Sequence, residues 1–412
     1  VNSHVLREYD LIVQGQVSGW HQKVFYLEEA SFRSLVALIE RETEKQDPTN
    51  LSAVAAFTHF RGRPAMKLSQ WVGLLRLPDG TILEILPKTH QGGEDPKACR
   101  EVLLRMLTAT DERFKVAPPG ELDPARKPLY EVFLSYALAG FRAALRRGVP
   151  HAYVTVEEER AGLRGKLNLN RQVRQLPSRS HLLHVTFDEY LPDRPETRLV
   201  RSSVERIARQ TTMHHTRRLA RETLQVLEGV LLSQNVEADF ERWRLERGNA
   251  HFAPLKALAR LILLDLNPLA SGEKVQSLSV LFDMNKVYEA YVAWMLRRDH
   301  PDWVIRTQVK EKSLGTLHGN PVFNLKPDLH ITLPDGEVVI ADTKWKRLKN
   351  DPKKAFEVKQ DDAYQMLAYS IKYQNPGGQL WLLYPRTPDG PPTDVTIQYP
   401  QDRSLVIRQV DL

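Results

Sequence analysis

The chain has 412 residues, of which 42% are apolar and 26% charged, a composition that excludes disordered, collagen-like and repeat-only architectures. At about 150 residues per domain it predicts two or three domains, each large enough to bury a core. A single cysteine, Cys99, excludes a disulfide scaffold and a thiolate metal cluster, and the lack of a long apolar run or signal-peptide order predicts a soluble cytoplasmic protein.

Residues 1–120 read as a β-rich N-terminal domain. WVGLLRLPDGTILEIL, from Trp71 to Leu86, predicts two strands around the Pro78-Asp79-Gly80 turn, with Pro87 stopping the ladder. A Leu- and Met-rich helix is expected at 96–109, and the stretch around Pro118, Gly120 and Asp123-Pro124 reads as a linker. Residues 121–275 form a basic middle region of helix and strand. PLYEVFLSYALAGFRAALRR at 128–147 carries a helical apolar stripe that stops at Gly148-Val149-Pro150. Short extended pieces follow at 151–190, then a helix at 195–232 with arginine on its polar face, then another from Pro254 through ALARLILLDL.

The last domain, 276–412, changes character. It predicts a helix at 283–298, strands at 303–310, 325–333 and 337–343, a helix at 353–373 and a strand at 379–384, with Pro334-Asp335-Gly336 as the central hairpin turn. The whole is a multidomain α+β chain ending in an α/β module.

Lys and Arg number 58 against 51 acidic residues, a formal +7. The surplus is local: residues 141–220 hold 16 Lys/Arg and 8 Asp/Glu, a difference of +8, so the remainder is near neutral. Arg164, Lys166, Arg171 and Arg174 lie in this window. Clustered guanidinium groups chelate phosphate oxygens and release counterions, so these four are expected to contact DNA or an acidic partner surface. A solvated basic face is the plainer alternative.

The chemistry is concentrated near the C-terminus. Lys326-Pro327-Asp328 stands fourteen residues before Asp342-Thr343-Lys344, and an apolar run surrounds each. Strand alternation places Asp342 and Lys344 on one face, and the hairpin brings Asp328 beside them. Asp328 and Asp342, with the backbone carbonyl of Thr343, can hold Mg²⁺ (Mn²⁺ as an alternative) through hard oxygen donors. Lys344 can orient the attacking water and offset phosphate charge. Glu289 supplies a third carboxylate from a helix whose packing stripe is expected at Val287, Ala290, Tyr291 and Trp294. Gln365 and Tyr369 are i,i+4 neighbours on the following helix, with Asp361 a turn earlier, and can position water or a phosphate. Singly each element has an ordinary structural explanation; the ordered combination points to a metal site, because a buried Asp without a partner is costly.

Glu289, Pro327-Asp328, Asp342-Thr343-Lys344 and Gln365 together resemble the PD-(D/E)xK nuclease superfamily, which implies a restriction-endonuclease-like domain hydrolysing phosphodiesters. TILEILPK at 81–88, LRGKLNLNRQVRQ at 163–175, FDEYLPDRPETRLV at 187–200 and LFDMNKVYEAYV at 281–292 resemble the McrC subunit of McrBC-type restriction systems. That resemblance implies a nuclease partner of an McrB-like AAA+ GTPase hexamer, acting on modified double-stranded DNA. It also implies that residues 1–120 engage the GTPase ring and stimulate it. One active site cuts one strand at a time, so pairing of two nuclease domains in the assembled complex is a natural expectation for a double-strand break. The alternatives are a non-catalytic assembly or activator protein of the same complex, and a stand-alone nuclease.

No phosphate-binding loop is expected on this chain. Gly162-Leu163-Arg164-Gly165-Lys166 is too short and lacks the terminal hydroxyl residue, so nucleotide hydrolysis belongs to another chain. His181, His184, His214 and His215 lack partners at zinc-ligand spacing and read as core or interface residues.

Overall fold

Short apolar alternations at the start of the chain become strands β1 (Ser3–Arg7), β2 (Leu11–Gly15), β3 (Gly19–His21) and β4 (Val24–Glu28). The computed structural model from which these are taken describes residues 3–44, 54–88, 95–111, 114, 127–265 and 279–412, so the linker expected around 118–124 lies outside the described residues. In helix α1 (Glu29–Glu44), Phe32, Leu35, Leu38 and Ile39 recur at helical spacing and are buried. Then come β5 (Ala55–Phe60), β6 (Arg63–Leu68), β7 (Trp71–Arg76), β8 (Ile82–Leu86) and α2 (Pro96–Thr110), the last capped by the Asp95 side chain. A five-stranded sheet runs β3-β4-β2-β6-β5, and β1-β8-β7 begins a second sheet. One core cluster, including Leu6, Phe25, Phe32, Leu35, Met66 and Ile85, joins both sheets and α1.

The expected hairpin at 71–86 is present, with β7 and β8 antiparallel. Every residue of β8 is buried, including Glu84. Arg100 of α2 meets the Glu84 carboxylate in a two-pronged ion pair, Nε at 2.6 Å and Nη2 at 3.0 Å. Breaking such a pair from one side leaves a buried charge uncompensated, which costs about 3–5 kcal/mol.

The middle region begins with α3 (Leu129–Leu145). Strands β9 (Ala152–Arg160), β10 (Lys166–Leu167) and β11 (Leu183–Leu191) flank the short helix α4 (Leu169–Gln172). β9 and β11 pair along their full nine residues and form a ribbon whose β9 strand is largely exposed. The helix expected at 195–232 is two: α5 (Pro195–Gln210) and α6 (His214–Val226). The break has a cause in α3. Glu131, 3% exposed, accepts from Thr211 Oγ1 at 2.6 Å, Thr212 N at 2.7 Å and Thr212 Oγ1 at 2.8 Å. These donors answer the buried carboxylate, and continuing the helix would withdraw them. α7 (Val236–Arg242) and α8 (Leu255–Arg260) follow, and Leu261–Asp265 continues as a wider π-turn.

The C-terminal region contains β12 (Ser279–Asp283), α9 (Met284–Asp299), β13 (Val304–Thr307), β14 (Lys312–Leu317), β15 (Asn320–Leu325), β16 (Leu329–Thr332), β17 (Val338–Thr343), α10 (Gln360–Tyr373), β18 (Gln379–Pro385), β19 (Val395–Gln398) and β20 (Ser404–Val410). β12 leaves this group and pairs antiparallel with β7, completing the four-stranded sheet β1-β8-β7-β12. Gly73 permits the approach. Its φ is +129°, and a Cβ there would lie 2.0 Å from the Val280 carbonyl oxygen.

The main C-terminal sheet runs β13-β16-β17-β18-β20-β19, with β17, β18 and β20 parallel. β14 and β15 form a separate hairpin between the strands expected at 303–310 and 325–333. α10 starts at Gln360 rather than 353, because Ala355, Phe356 and Glu357 have positive φ and interrupt helical winding. Its Met366 and Tyr369 pack on Ile340, Leu380 and Leu382 of the sheet.

By contacts, the described residues at 3–111, 114, 127–129 and 279–412 form one compact unit, and 130–265 form the other. No helix among the described residues is long and apolar enough to cross a membrane.

Candidate active site

β17 is apolar until its last residues, where burial delivers a carboxylate into the core. Asp342 is 3% exposed and stands in parallel register with Leu382 of β18. Strand alternation then returns Lys344 to the same side, and its Nζ lies 2.7 Å from Asp342 Oδ2. The contact is ionic; its angle leaves that oxygen without an aligned hydrogen bond.

The β16–β17 hairpin supplies the second carboxylate. Leu329 pairs with Ala341, so the preceding Asp328 arrives level with Asp342. Asp328 Oδ2 accepts from both the backbone N and Oγ1 of Thr343, each at 2.8 Å. The third carboxylate, Glu289, projects from α9. Gln308 Nε2 donates to Glu289 Oε1 and, at 3.4 Å, to Asp328 Oδ1.

Helix α10 closes the other side through Asp362, Gln365 and Tyr369. Lys344 Nζ lies 3.3 Å from Asp362 Oδ1 and donates to Gln365 Oε1 at 3.3 Å. Gln365 Nε2 donates to Tyr369 Oη at 2.7 Å, and Tyr369 Oη donates to the Lys326 carbonyl at 3.1 Å.

Burial and the Asp328 charge push the Asp342 carboxyl up to about 6, against the pull of Lys344. The same two causes raise Glu289 to about 6. Burial works against the Lys344 ammonium, but Asp342 and Asp362 outweigh it and hold its pKa above the usual lysine value. Three carboxylates thus crowd one place, with the Lys344 ammonium shared between Asp342 and Asp362, and Lys346 also paired to Asp362. Such crowding of titratable groups is a mark of functional sites.

The structure brings together Glu289, Asp328, Asp342, Thr343, Lys344 and Gln365. Asp361 is exposed, and its neighbour Asp362 is the buried acid of α10. Helical spacing could have shown this, because Asp362, Gln365 and Tyr369 recur at i, i+3 and i+7. Gln308 carried no signal in the sequence; it sits alone after β13. In α9 the packing stripe is Val287, Tyr288, Tyr291 and Val292, while Ala290 is exposed, because Tyr288 rather than Ala290 fills the core.

The basic residues of the middle region lie on and beside the β9–β11 ribbon. Arg164 Nη1 is 3.3 Å from Glu189, with its guanidinium 4.0 Å above the Phe187 ring. Arg171 Nη2 is 3.0 Å from Glu157. Lys166 and Arg174 are exposed, and among the described residues neither makes an ion pair within 4.0 Å.

Among the described residues, no group of three or more His, Cys, Asp or Glu side chains stands ready to hold a metal ion. The donor set still fits Mg²⁺, which uses one or two carboxylates and keeps several waters. Asp328 and Asp342 could supply that pair; Asp342 Oδ2 has no aligned hydrogen bond, and its nearest charged neighbour is the Lys344 ammonium at 2.7 Å.

Fold and site together define a multidomain mixed α+β protein with an acid–lysine cluster at the end of a mixed sheet. The chain belongs to the McrBC 5-methylcytosine restriction system component family, whose profile matches residues 66–385. It is similar in fold to a chain of the refined half-complex from a tetradecameric assembly of Thermococcus gammatolerans McrB AAA+ hexamers with bound McrC. That match has a TM-score of 0.71 and 21% identity, covering 100% of this chain and 95% of the other. The cryo-EM structure of the Thermococcus gammatolerans McrBC complex gives a TM-score of 0.49 at 24% identity, covering 76% of this chain and 90% of the other. No curated protein matches the chain significantly.

Proposed function

We propose that this chain is the Mg²⁺-dependent DNA endonuclease subunit of a GTP-dependent modified-cytosine restriction complex. Residues 276–412 are its PD-(D/E)xK nuclease domain, 1–120 bind and stimulate an McrB-like AAA+ GTPase hexamer, and 121–275 are its basic middle region. The observation that carries the reading is the convergence of Asp328, Asp342 and Glu289 around the end of β17, with Lys344 ion-paired to Asp342. Family membership supplies the restriction-system context.

Asp328, Asp342 and the Thr343 carbonyl would hold the cation, with Glu289 completing the acid set. When bound, Mg²⁺ polarises the scissile phosphate and lowers the pKa of a bound water. Thr343 fixes the Asp328 carboxylate with two hydrogen bonds, so little reorganisation is needed on substrate binding. Lys344 would orient the attacking water and offset charge gathering on the phosphate oxygens. Gln365, braced by Tyr369, keeps the ammonium from swinging away. Hydrolysis would form the bond from a water oxygen to phosphorus and break the bond to the leaving deoxyribose oxygen, the proton given up by that water being matched by one the leaving oxygen takes from solvent.

The test is reconstitution of the purified chain with an McrB-like GTPase, measuring methylated-DNA cleavage and GTP hydrolysis in parallel. Cleavage should require Mg²⁺, stop with EDTA, and vanish in Asp342→Asn and Lys344→Ala while GTPase stimulation persists. Cleavage that survives Asp342→Asn overturns the assignment of the site. Loss of both activities in a folded variant overturns the separation of roles.

A further inference from the structure

We propose that Gln308 is a positioning residue whose side-chain amide sets the separation of Glu289 and Asp328 so that both can face one divalent cation. This rests on the nuclease reading above. A primary amide carries two N–H donors, and Gln308 Nε2 directs them to two different carboxylates, Glu289 Oε1 and Asp328 Oδ1. The amide nitrogen therefore stands between two oxygens of like charge that come from separate elements, α9 and the start of β16.

The contacts assign the orientation of the amide. Flipped, it would set an oxygen against two carboxylate oxygens; as placed, Oε1 is buried without a hydrogen-bond partner. The surrounding polypeptide accepts an unsatisfied acceptor to keep the donors in place.

The backbone makes the same point independently. Gln308 has φ +54°, a left-handed conformation that costs an L side chain and suits glycine. In that conformation its backbone N donates to the Asp328 carbonyl at 2.9 Å. One residue thus holds Asp328 by main chain and side chain together. At Gln308 the left-handed backbone coincides with contacts from both its main chain and its side chain to Asp328.

Groups that orient ligating carboxylates are typically worth about 10- to 100-fold in metal affinity or activity. The experiment titrates the full chain with Ca²⁺ alone by calorimetry, comparing wild type, Gln308→Met and Gln308→Gly. The Met variant keeps the volume and removes the amide; the Gly variant also relieves the backbone. Both should bind Ca²⁺ about 10- to 100-fold more weakly. In reconstituted cleavage, both should need correspondingly more Mg²⁺ for half-maximal rate, and excess Mg²⁺ should restore most of kcat. Thermal stability of the Gly variant should not fall, which separates positioning from folding.

Ca²⁺ affinity unchanged in Gln308→Gly would overturn the proposal. A loss of kcat that excess Mg²⁺ does not restore would also overturn it, because it assigns Gln308 a direct role. If wild type binds neither Ca²⁺ nor Mg²⁺, the nuclease reading itself falls, an outcome distinct from failure of Gln308 alone.

Discussion

The β9–β11 ribbon and the end of β17 both concentrate charge, and they manage it in opposite ways. On the ribbon, Arg164 faces Glu189, Arg171 faces Glu157 and Arg179 faces Glu159, all at accessible positions. At the end of β17, like charges gather around a buried acid: Asp342 is 3% exposed beside the half-buried Asp328. Exposed pairs contribute roughly 0–1 kcal/mol each. Raising Asp342 from 3.8 to about 6 corresponds to roughly 3 kcal/mol held against folding when it is ionised. Three arginines of the basic window are thus each answered by an acid of the ribbon, whereas the site keeps a repulsion that folding alone would remove.

The largest effect should come from relieving that repulsion. Asp342→Asn is expected to abolish measurable cleavage, a loss on the order of a thousandfold or more from the several kcal/mol a Lewis acid contributes. The same substitution should raise Tm at pH 8, where wild type carries the buried charge. Calorimetric melts beside cleavage rates check this; a variant that loses both activity and stability would place Asp342 among ordinary structural acids. The acid limb of the cleavage profile gives a second, smaller test. Glu289 and Asp342 ionise near 6, so protons compete with the cation below that pH. Apparent Mg²⁺ affinity should fall up to about tenfold per pH unit for each proton displaced, measured as half-saturation between pH 5 and 7.

Glu8 separates burial from crowding. It is 1% exposed, and burial pushes its carboxyl up to about 7 although it has no carboxylate pressed against it. Its Oε1 accepts from Trp345 Nε1 and Lys88 N, each at 2.8 Å, while Oε2 has no hydrogen-bond partner. A carboxyl raised in the folded state keeps its proton there while the unfolded chain loses it. Stability therefore falls as pH rises from about 4.5 to about 7, and is level above. Glu8→Gln keeps the acceptor and removes the charge. It should be near neutral at pH 4 and stabilising at pH 8 by up to about 3 kcal/mol, read from denaturant melts at the two pH values. Equal effects at both would mean that the raised ionisation is not linked to folding.

Much of the site was legible because strands and hairpins impose period and register. The spacing of Asp328 and Asp342 around Pro334-Asp335-Gly336 foretold their meeting, and the Asp342-Thr343-Lys344 alternation foretold that Asp342 and Lys344 share a face. Local signals also placed β7, β8, α2, α3 and α9 within a few residues. What escaped was set by distant partners. Glu131 breaks the expected helix at 211–213 from another element, and β12 finds β7 only because Gly73 has no side chain. Gln308 escaped for the same reason: its meaning comes from two carboxylates on other elements, and its own neighbours in sequence carry no periodic signal.

The smallest effects belong to the ribbon, where the comparison can be sharpened residue by residue. If this face meets DNA phosphate, each unengaged cation that neutralises one phosphate contributes about one counterion to the salt dependence of binding. Lys166→Ala and Arg174→Ala should each reduce the slope of log affinity against log salt by about 1. Arg171→Ala should do less, because its charge is already turned to Glu157 at 3.0 Å. Glu157→Gln should then strengthen binding by freeing Arg171, the opposite sign from an acid removed at the end of β17. A double-mutant cycle on Arg171 and Glu157 should show a coupling below about 1 kcal/mol in stability, as exposed pairs do. Fluorescence anisotropy with a DNA duplex across a salt series measures the slopes. Equal slopes for Arg171→Ala and Lys166→Ala would mean that the ion pair opens on binding, and that the ribbon's charges are as available as the sequence count suggested.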